Sequence, residues 1–154
     1  MEYVLVKWVH ILSSTLLFGT GLGSAFYMYF ASRTRDARVI ATVARHVVIA
    51  DWVFTTPTVI LQPLSGFYLA HLMGLPLTTP WILWSVALFL LAGAAWLPVV
   101  WMQIRMRDLA LVAVRANESI PPSYWRYLRL WVGLGVVAFA SLMAVFYLMV
   151  AKPA

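Results

Sequence analysis

The sequence predicts an all-α fold, a bundle of four transmembrane helices, and two observations lead to this prediction. The chain of 154 residues is 64% hydrophobic and only 10% charged, with a mean hydropathy of +0.89, which leaves too little polar surface for a soluble domain. Four apolar runs, at about 3–32, 47–73, 81–104 and 128–151, each exceed the roughly 20 residues that cross a hydrocarbon core. Backbone groups in lipid need internal partners, so each run is predicted to be a helix of one domain, residues 1–154.

The arginines predict how this bundle is oriented. All nine lie between Arg33 and Arg45 or between Arg105 and Arg129, whereas the link from His71 to Pro80 carries no charged residue. The positive-inside rule therefore places both Arg-rich links in the cytoplasm and both chain ends outside, on the periplasmic side. The net charge of +6 sits at membrane edges without forming a basic groove. We therefore expect the lipid bilayer, and not nucleic acid, as the partner of these cations.

Two polar segments lie between the predicted spans. The stretch from Thr34 to Ala44 is predicted to be a short interfacial helix or an extension of the first span. The stretch from Asp108 to Pro122 is the longest polar link, and Pro121-Pro122 is expected to end any helix there.

Several kinds of chemistry are excluded by residues that the chain lacks. It has no cysteine, which excludes disulfides, thiolate zinc sites, iron–sulfur clusters and a cysteine nucleophile. No pair of carboxylates and no hydrolase triad is visible within the apolar runs. Redox chemistry carried by a bound cofactor needs fewer protein groups, because the protein only holds and tunes the cofactor.

His10 is the strongest candidate for a functional residue, since polar side chains at membrane depth are costly and usually face the bundle interior. At 3.6 residues per turn it shares one helix face with Ser14, Leu17, Gly21, Ser24 and Met28. Small and hydroxylic residues on that face suit either close helix packing or a flat ligand. Three interpretations stay open: ligation of a heme or metal ion, a hydrogen bond to a neighbouring helix, or a proton relay.

The second run carries a polar stripe that repeats at steps of three or four residues. Its members are Asp51, Thr55, Thr58, Gln62 and Ser65, with Pro57 and Pro63 among them. One interpretation is a kinked helix joined to its neighbours by hydrogen bonds, and the other is the lining of a cavity with Gln62 as a donor. Asp51 lies near the cytoplasmic border, so we expect it to pair with Arg45 or another arginine of the links.

Two further features bear on a cofactor or a partner. His71 is the other histidine near the depth of His10, but it falls nearly opposite Gln62 on an ideal helix. It could serve as a second ligand only if the helix rotates at its prolines. Gly19 and Gly23 form a small-xxx-small pattern, which favours helix packing, and thus a homo-oligomer, or the close approach of a macrocycle.

Three segments resemble known membrane families. The segments VLVKWVHIL (Val4 to Leu12) and TTPTVILQPLSGFYL (Thr55 to Leu69), with the tail from Tyr124 to Pro153, resemble HemJ-type protoporphyrinogen oxidases. The first helix is also similar to that of copper-resistance D-type membrane domains. As a whole, the chain resembles a bacterial family known only as predicted integral membrane proteins.

The resemblance implies a multi-pass protein of the bacterial inner membrane that binds heme b, with His10 as the axial ligand of the iron. Ser14, Gly21 and Gln62 are then predicted to line the pocket, with His71 as a possible second ligand. HemJ-type proteins carry a lysine in the third helix, which this chain lacks, so heme binding is implied more directly than the same oxidation. The expected function is redox activity with quinone, porphyrin or oxygen. The alternative is a non-enzymatic scaffold, subunit or small transporter of copper-resistance type.

Overall fold

A computed structural model of the chain describes residues 1–153, which form four long helices and no strand. They are α1 (Glu2–Arg33), α2 (Ala37–Leu72), α3 (Pro80–Ala116) and α4 (Pro122–Ala151). At 30 to 37 residues they are about 45–55 Å long. Each is long and apolar enough to cross a membrane, whose hydrocarbon core is about 30 Å thick. The predicted bundle of four spanning helices is confirmed, while the side of the membrane that each end faces stays a prediction.

The helices are longer than the apolar runs, because the Arg-rich segments are themselves helical. The stretch after Thr34 begins α2, and is therefore neither a separate interfacial helix nor part of the first span. Its first turn is capped by Asp36, whose carboxylate accepts hydrogen bonds from the N–H groups of Arg38 and Val39. At the other link, α3 continues to Ala116, and the proline at 122 starts α4, where its missing N–H costs nothing.

The helix α2 is divided into two parts that pack on different neighbours. Its first part, Ala37–Ala50, packs against α3, whereas its last part, Thr56–Leu72, packs against α1. Between them the five residues Asp51–Thr55 form a π-helical segment. The most extensive packing in the molecule joins α3 to α4, and α1 makes only limited contact with α4.

The buried core lies at the Arg-rich end of the bundle. Met28, Ile40, Met106 and Tyr124 are completely buried there, in a cluster to which all four helices contribute. A buried hydrogen bond of 2.7 Å joins the Tyr124 hydroxyl to Ser32 Oγ and ties α4 to α1. Because the pair α3–α4 and the pair formed by α1 with the last part of α2 are held together mainly at this end, space is left between them in the apolar middle.

Candidate functional site

The space between the two helix pairs is a cavity of about 500 Å³, called here the central cavity. This volume lies within the range of small-molecule sites in proteins, about 300–1,000 Å³. Its walls are apolar and largely aromatic, and the aromatic members are Phe18, Phe26, Tyr29, Phe30, Phe89, Trp96, Trp131 and Phe139. Exposed residues of α1 and α4, such as Leu22 and Val136, also line it. The central cavity is therefore partly open to the lipid along α1 and α4, beside the place where Phe18 contacts Phe139 and Phe146 across the gap.

Three helices contribute buried polar side chains to the wall of the central cavity, and the part around Asp51 and Gln103 is called here its polar end. Asp51 and Gln103 are each 4% exposed and Trp131 is 5% exposed, and all three line the cavity. Asp51 Oδ1 accepts a hydrogen bond of 2.9 Å from Thr55 Oγ1, and the Gln103 amide lies beside the same carboxylate. Yet Asp51 Oδ2, Gln103 Oε1 and Trp131 Nε1 are buried without a hydrogen-bond partner. Buried polar atoms nearly always have a partner, so three unpaired atoms in the wall of one cavity need an explanation.

The π-helical segment places Asp51 and Thr55 together at this polar end. Within it the Thr56 N–H bonds to the Asp51 carbonyl, five residues back, and Pro57 then offers no N–H to the preceding turn. The Thr58 hydroxyl donates to the carbonyls of Phe54 and Thr55, at 2.7 and 2.9 Å. These bonds satisfy carbonyls that the irregular turn leaves free. Such π-bulges occur frequently at functional sites, because they re-aim side chains that a regular helix would direct elsewhere.

The surroundings of Asp51 differ from what the sequence predicted. The salt bridge that residues 1–153 form joins Arg107 to Asp108 at 2.8 Å, and none includes Asp51. The expectation that Asp51 pairs with Arg45 or another arginine is therefore wrong. Asp51 faces the interior of the bundle, where no arginine forms a salt bridge with it. The Thr55 hydroxyl, and not a cation, is the partner of its carboxylate.

Gln103 and Trp131 were not predicted as site residues. Gln103 stands two residues before Arg105, so it resembles the start of the polar link, and Trp131 resembles one more aromatic residue at the membrane border. The available signal was their place near the arginines, two residues from Arg105 and Arg129, which puts them near the same membrane border as Asp51. Depth alone does not tell which helix faces turn toward one another.

His10 forms a second polar cluster, between α1 and the last part of α2. Its Nδ1 lies 2.8 Å from Ser65 Oγ, and its Nε2 lies 3.3 Å from Gln62 Nε2. The Ser65 hydroxyl donates its one proton to the Leu61 carbonyl at 2.7 Å. Ser65 Oγ must therefore accept from His10 Nδ1–H, which leaves Nε2 as the acceptor for the Gln62 amide. These contacts correspond to the interpretation in which His10 hydrogen-bonds a neighbouring helix.

The backbone of α2 is shaped to receive the imidazole. A Cβ atom built at Gly66 would lie 3.3 Å from His10 Cε1, so a larger residue at this position would press on the ring. Gln62 Oε1 is buried and without a partner among the described residues. His10 does not line the central cavity. The two polar clusters are thus separate, and only Gly21 of the predicted pocket residues lines the central cavity.

The other predicted site residues lie apart from one another. Ser14 Oγ donates to the Ile11 carbonyl of its own helix at 2.8 Å. His71 is exposed and stacks on Tyr68, with the ring centroids 6.4 Å apart, and it makes no hydrogen bond with His10 in residues 1–153. Within residues 1–153, no group of three or more His, Asp or Glu side chains could hold a metal ion.

Comparison with known proteins gives one clear result. We found no match to the chain among curated proteins or among solved structures. The model of one family matches residues 4–153, nearly the whole chain, and that family is described as predicted integral membrane protein. The match lends no support to the resemblance to HemJ-type or copper-resistance D-type proteins. The chain belongs to the predicted integral membrane protein family DUF2269.

Proposed function

We propose that the protein is a membrane ligand-binding protein whose central cavity takes an amphiphile with an apolar body and a hydrogen-bonding head. The observation that carries this proposal is the set of three buried, unpaired polar atoms in the wall of an otherwise apolar space. Apolar walls with a few convergent polar groups are the usual composition of a small-molecule site.

The hydrogen-bonding capacity of the polar end limits the head group. Asp51 Oδ2 and Gln103 Oε1 are acceptors, whereas Trp131 Nε1 is a donor. A matching head must therefore donate to the two acceptors, as a hydroxyl, an amine or a quinol does, while the head or a water that accompanies it accepts from Trp131. An oxidised quinone offers acceptors only, so it satisfies Trp131 and leaves the two acceptors unpaired. Each buried acceptor or donor left without a partner costs about 1–3 kcal/mol, and a bound head removes that cost.

The lateral opening supports this proposal as well. A ligand dissolved in the bilayer enters between α1 and α4 without crossing the headgroup region. Because the cavity residues include no pair of carboxylates, no histidine and no cysteine, the proposed role is carriage or sensing of the ligand, which corresponds to a non-enzymatic subunit or small transporter.

The cavity can be filled without disturbing its walls. Gly93 lines the central cavity, and a Cβ atom added there meets no atom within 4 Å. The Gly93→Leu variant should therefore lower the affinity for a neutral probe, 1-naphthylmethanol, by about tenfold or more, since it takes up space needed by the apolar body. Binding is measured by naphthalene fluorescence with the protein in nanodiscs of zwitterionic lipid.

Gly133→Leu is the matched control, because Gly133 lies on α4, has equally free space and does not line the cavity. It receives the same gain in helix propensity as the Gly93 variant. Equal affinity of both variants and the wild type, or no binding by any of them, would overturn the proposal.

A second candidate function is heme b binding through His10, and the tautomer of His10 favours it. Ser65 holds Nδ1–H, so the lone pair of Nε2 is the one that would reach the iron, an arrangement common for metal-ligating histidines. Gln62 currently donates to that nitrogen and would have to turn away. When bound, the heme would supply electron transfer, while His10 would hold it and Ser65 would orient the imidazole.

This candidate makes a simple spectroscopic prediction. Protein expressed with ample heme precursor should show a Soret band that disappears in His10→Ala. Gln62→Leu should increase heme occupancy, because it removes the competing amide. A His71→Ala variant should leave the spectrum unchanged if His71 is a border residue, and should convert low-spin to high-spin iron if it coordinates. Colourless wild-type and Gln62→Leu protein would rule the candidate out.

A further inference from the structure

We infer that the natural occupant of the central cavity is a lipophilic amine bound as its ammonium ion, with Asp51 as the counter-ion. This inference rests on the proposed function of the cavity and specifies the chemistry of the head. Its basis is the unpaired oxygen of Asp51, together with the surfaces that surround it.

Asp51 differs from the other four acidic residues of the chain. Glu2 accepts a hydrogen bond from Tyr68, Asp36 caps α2, Asp108 pairs with Arg107, and Glu118 is exposed. Only Asp51 is buried, and in residues 1–153 no Lys, Arg or His lies within salt-bridge distance of it. A buried carboxylate is strongly disfavoured unless a cation is paired with it. Asp51 must therefore either take up a proton or be paired with a cation, and because this chain supplies no such cation, an ammonium occupant is the source that we infer.

The polar end also counts in favour of an ammonium head. Two of the three unpaired atoms in the cavity wall, Asp51 Oδ2 and Gln103 Oε1, are acceptors. An ammonium group carries up to three donors, so it can satisfy both at once, whereas a hydroxyl has a single proton. Hydrogen bonds from a cation to a carboxylate are roughly twice as strong as those between neutral groups. Trp131 Nε1 then donates to a hydroxyl of the occupant or to a water that accompanies the head.

The aromatic walls of the central cavity suit a cation better than an anion. Tyr29, Trp96 and Trp131 line the same cavity, and the faces of aromatic rings attract ammonium ions. The arginines lie beyond the polar end, in the links, and they repel a cation that approaches from that side. A lipophilic amine avoids them by entering from the lipid, through the opening between α1 and α4.

The test uses three probes that share one aromatic body and differ in the head. They are 1-naphthylmethylamine, which is an ammonium at neutral pH, the neutral 1-naphthylmethanol, and the anion 1-naphthylacetate. Affinities are measured by fluorescence in zwitterionic nanodiscs, with empty nanodiscs subtracted. We expect the amine to bind about tenfold tighter than the alcohol, and the anion to show no saturable binding.

Two variants separate the charge of Asp51 from its size. Asp51→Asn keeps the shape and should abolish the preference for the amine over the alcohol, which is measured as the ratio of the two affinities in this variant. Asp108→Asn removes an equal charge outside the cavity, and should change neither affinity.

The outcomes distinguish the two proposals. If the alcohol binds and the amine binds no tighter, the inference is wrong and the proposed cavity function stands. Equal binding of the amine by the wild type and Asp51→Asn also rejects the inference. If none of the probes binds in a saturable way, both proposals fail. Because the comparison among heads is made in the wild type, it decides the matter even if Asp51→Asn does not fold.

Discussion

The buried pair Ser32–Tyr124 gives a sharp prediction about what holds the Arg-rich end together. The Ser32 hydroxyl donates to the Met28 carbonyl at 2.7 Å, so its oxygen accepts the proton of the Tyr124 hydroxyl, also at 2.7 Å. Tyr124 is 0% exposed, and without Ser32 its hydroxyl has no other recorded partner among the described residues. Removing the Ser32 hydroxyl and removing the Tyr124 hydroxyl should therefore lower the free energy of unfolding by different amounts.

The size of each loss in the free energy of unfolding depends on which polar group is left without a hydrogen-bond partner. In Tyr124→Phe the serine keeps its bond to Met28, so only the net value of one hydrogen bond is lost, about 1 kcal/mol. In Ser32→Ala a buried phenol is left without an acceptor, which costs about 1–3 kcal/mol. The double variant contains neither group and should recover much of that loss. Tyr124→Phe is thus expected to destabilise the wild type and to stabilise the Ser32→Ala protein.

The reversal of sign can be measured by equilibrium unfolding of the four proteins in mixed micelles. Ser141→Ala serves as a control, because the Ser141 hydroxyl donates only to the Val137 carbonyl of its own helix. That variant should be nearly neutral. If the costs of the two single changes simply add in the double variant, the Tyr124 hydroxyl has another partner and the reasoning is refuted.

Three further predictions concern the cap, the orientation and the association of the chain. Asp36→Ala should lower the free energy of unfolding by about 1 kcal/mol, since it removes the cap of α2; an unchanged stability would show that the cap contributes nothing. Reporter fusions at both ends should be periplasmic and one between Arg33 and Arg45 cytoplasmic, and the opposite pattern would reverse the predicted topology. Gly19→Leu and Gly23→Leu should weaken a homo-oligomer, because both glycines face open space in this chain. The oligomeric state can be measured by sedimentation in detergent, with Gly133→Leu as a control. A monomeric wild type would contradict the prediction of a homo-oligomer.

The number and type of the helices could be predicted from the sequence, because the requirement for about 20 apolar residues per span is strong. The helix ends could not, and α2 shows why. Its first fourteen residues carry Arg38, Arg45 and His46, which in a membrane protein suggest a loop. They are nevertheless helical, since Asp36 caps the turn and one face of the segment is buried against α3.

The His10 cluster was partly visible in the sequence. His10 faces small residues on its own helix, and Gln62 and Ser65 belong to the polar stripe of the next run, so a contact between the two stripes could be expected. The tautomer could not, because it depends on the proton of Ser65 being used by the Leu61 carbonyl.

The polar end of the central cavity was predictable only in part, because a cavity lining was one interpretation of the stripe that carries Asp51 and Thr55, but Gln62 was expected in the same lining. Asp51 shares a helical stripe with Thr58 and Gln62, which implied one continuous polar face. The π-helical segment breaks that face, so Asp51 and Thr55 turn into the central cavity while Gln62 turns toward His10. Simple helical periodicity assumes a constant rotation per residue, and here that rotation changes.

The central claim is that the polar end of the cavity binds a ligand, and its most direct test is a crystal structure of the protein in a lipid mesophase with 1-naphthylmethylamine. The account predicts density for the probe between α1 and α4, with its nitrogen within hydrogen-bond distance of Asp51 Oδ2 and Gln103 Oε1. A closed cavity, in which Asp51, Gln103 and Trp131 hydrogen-bond only to one another, would contradict it.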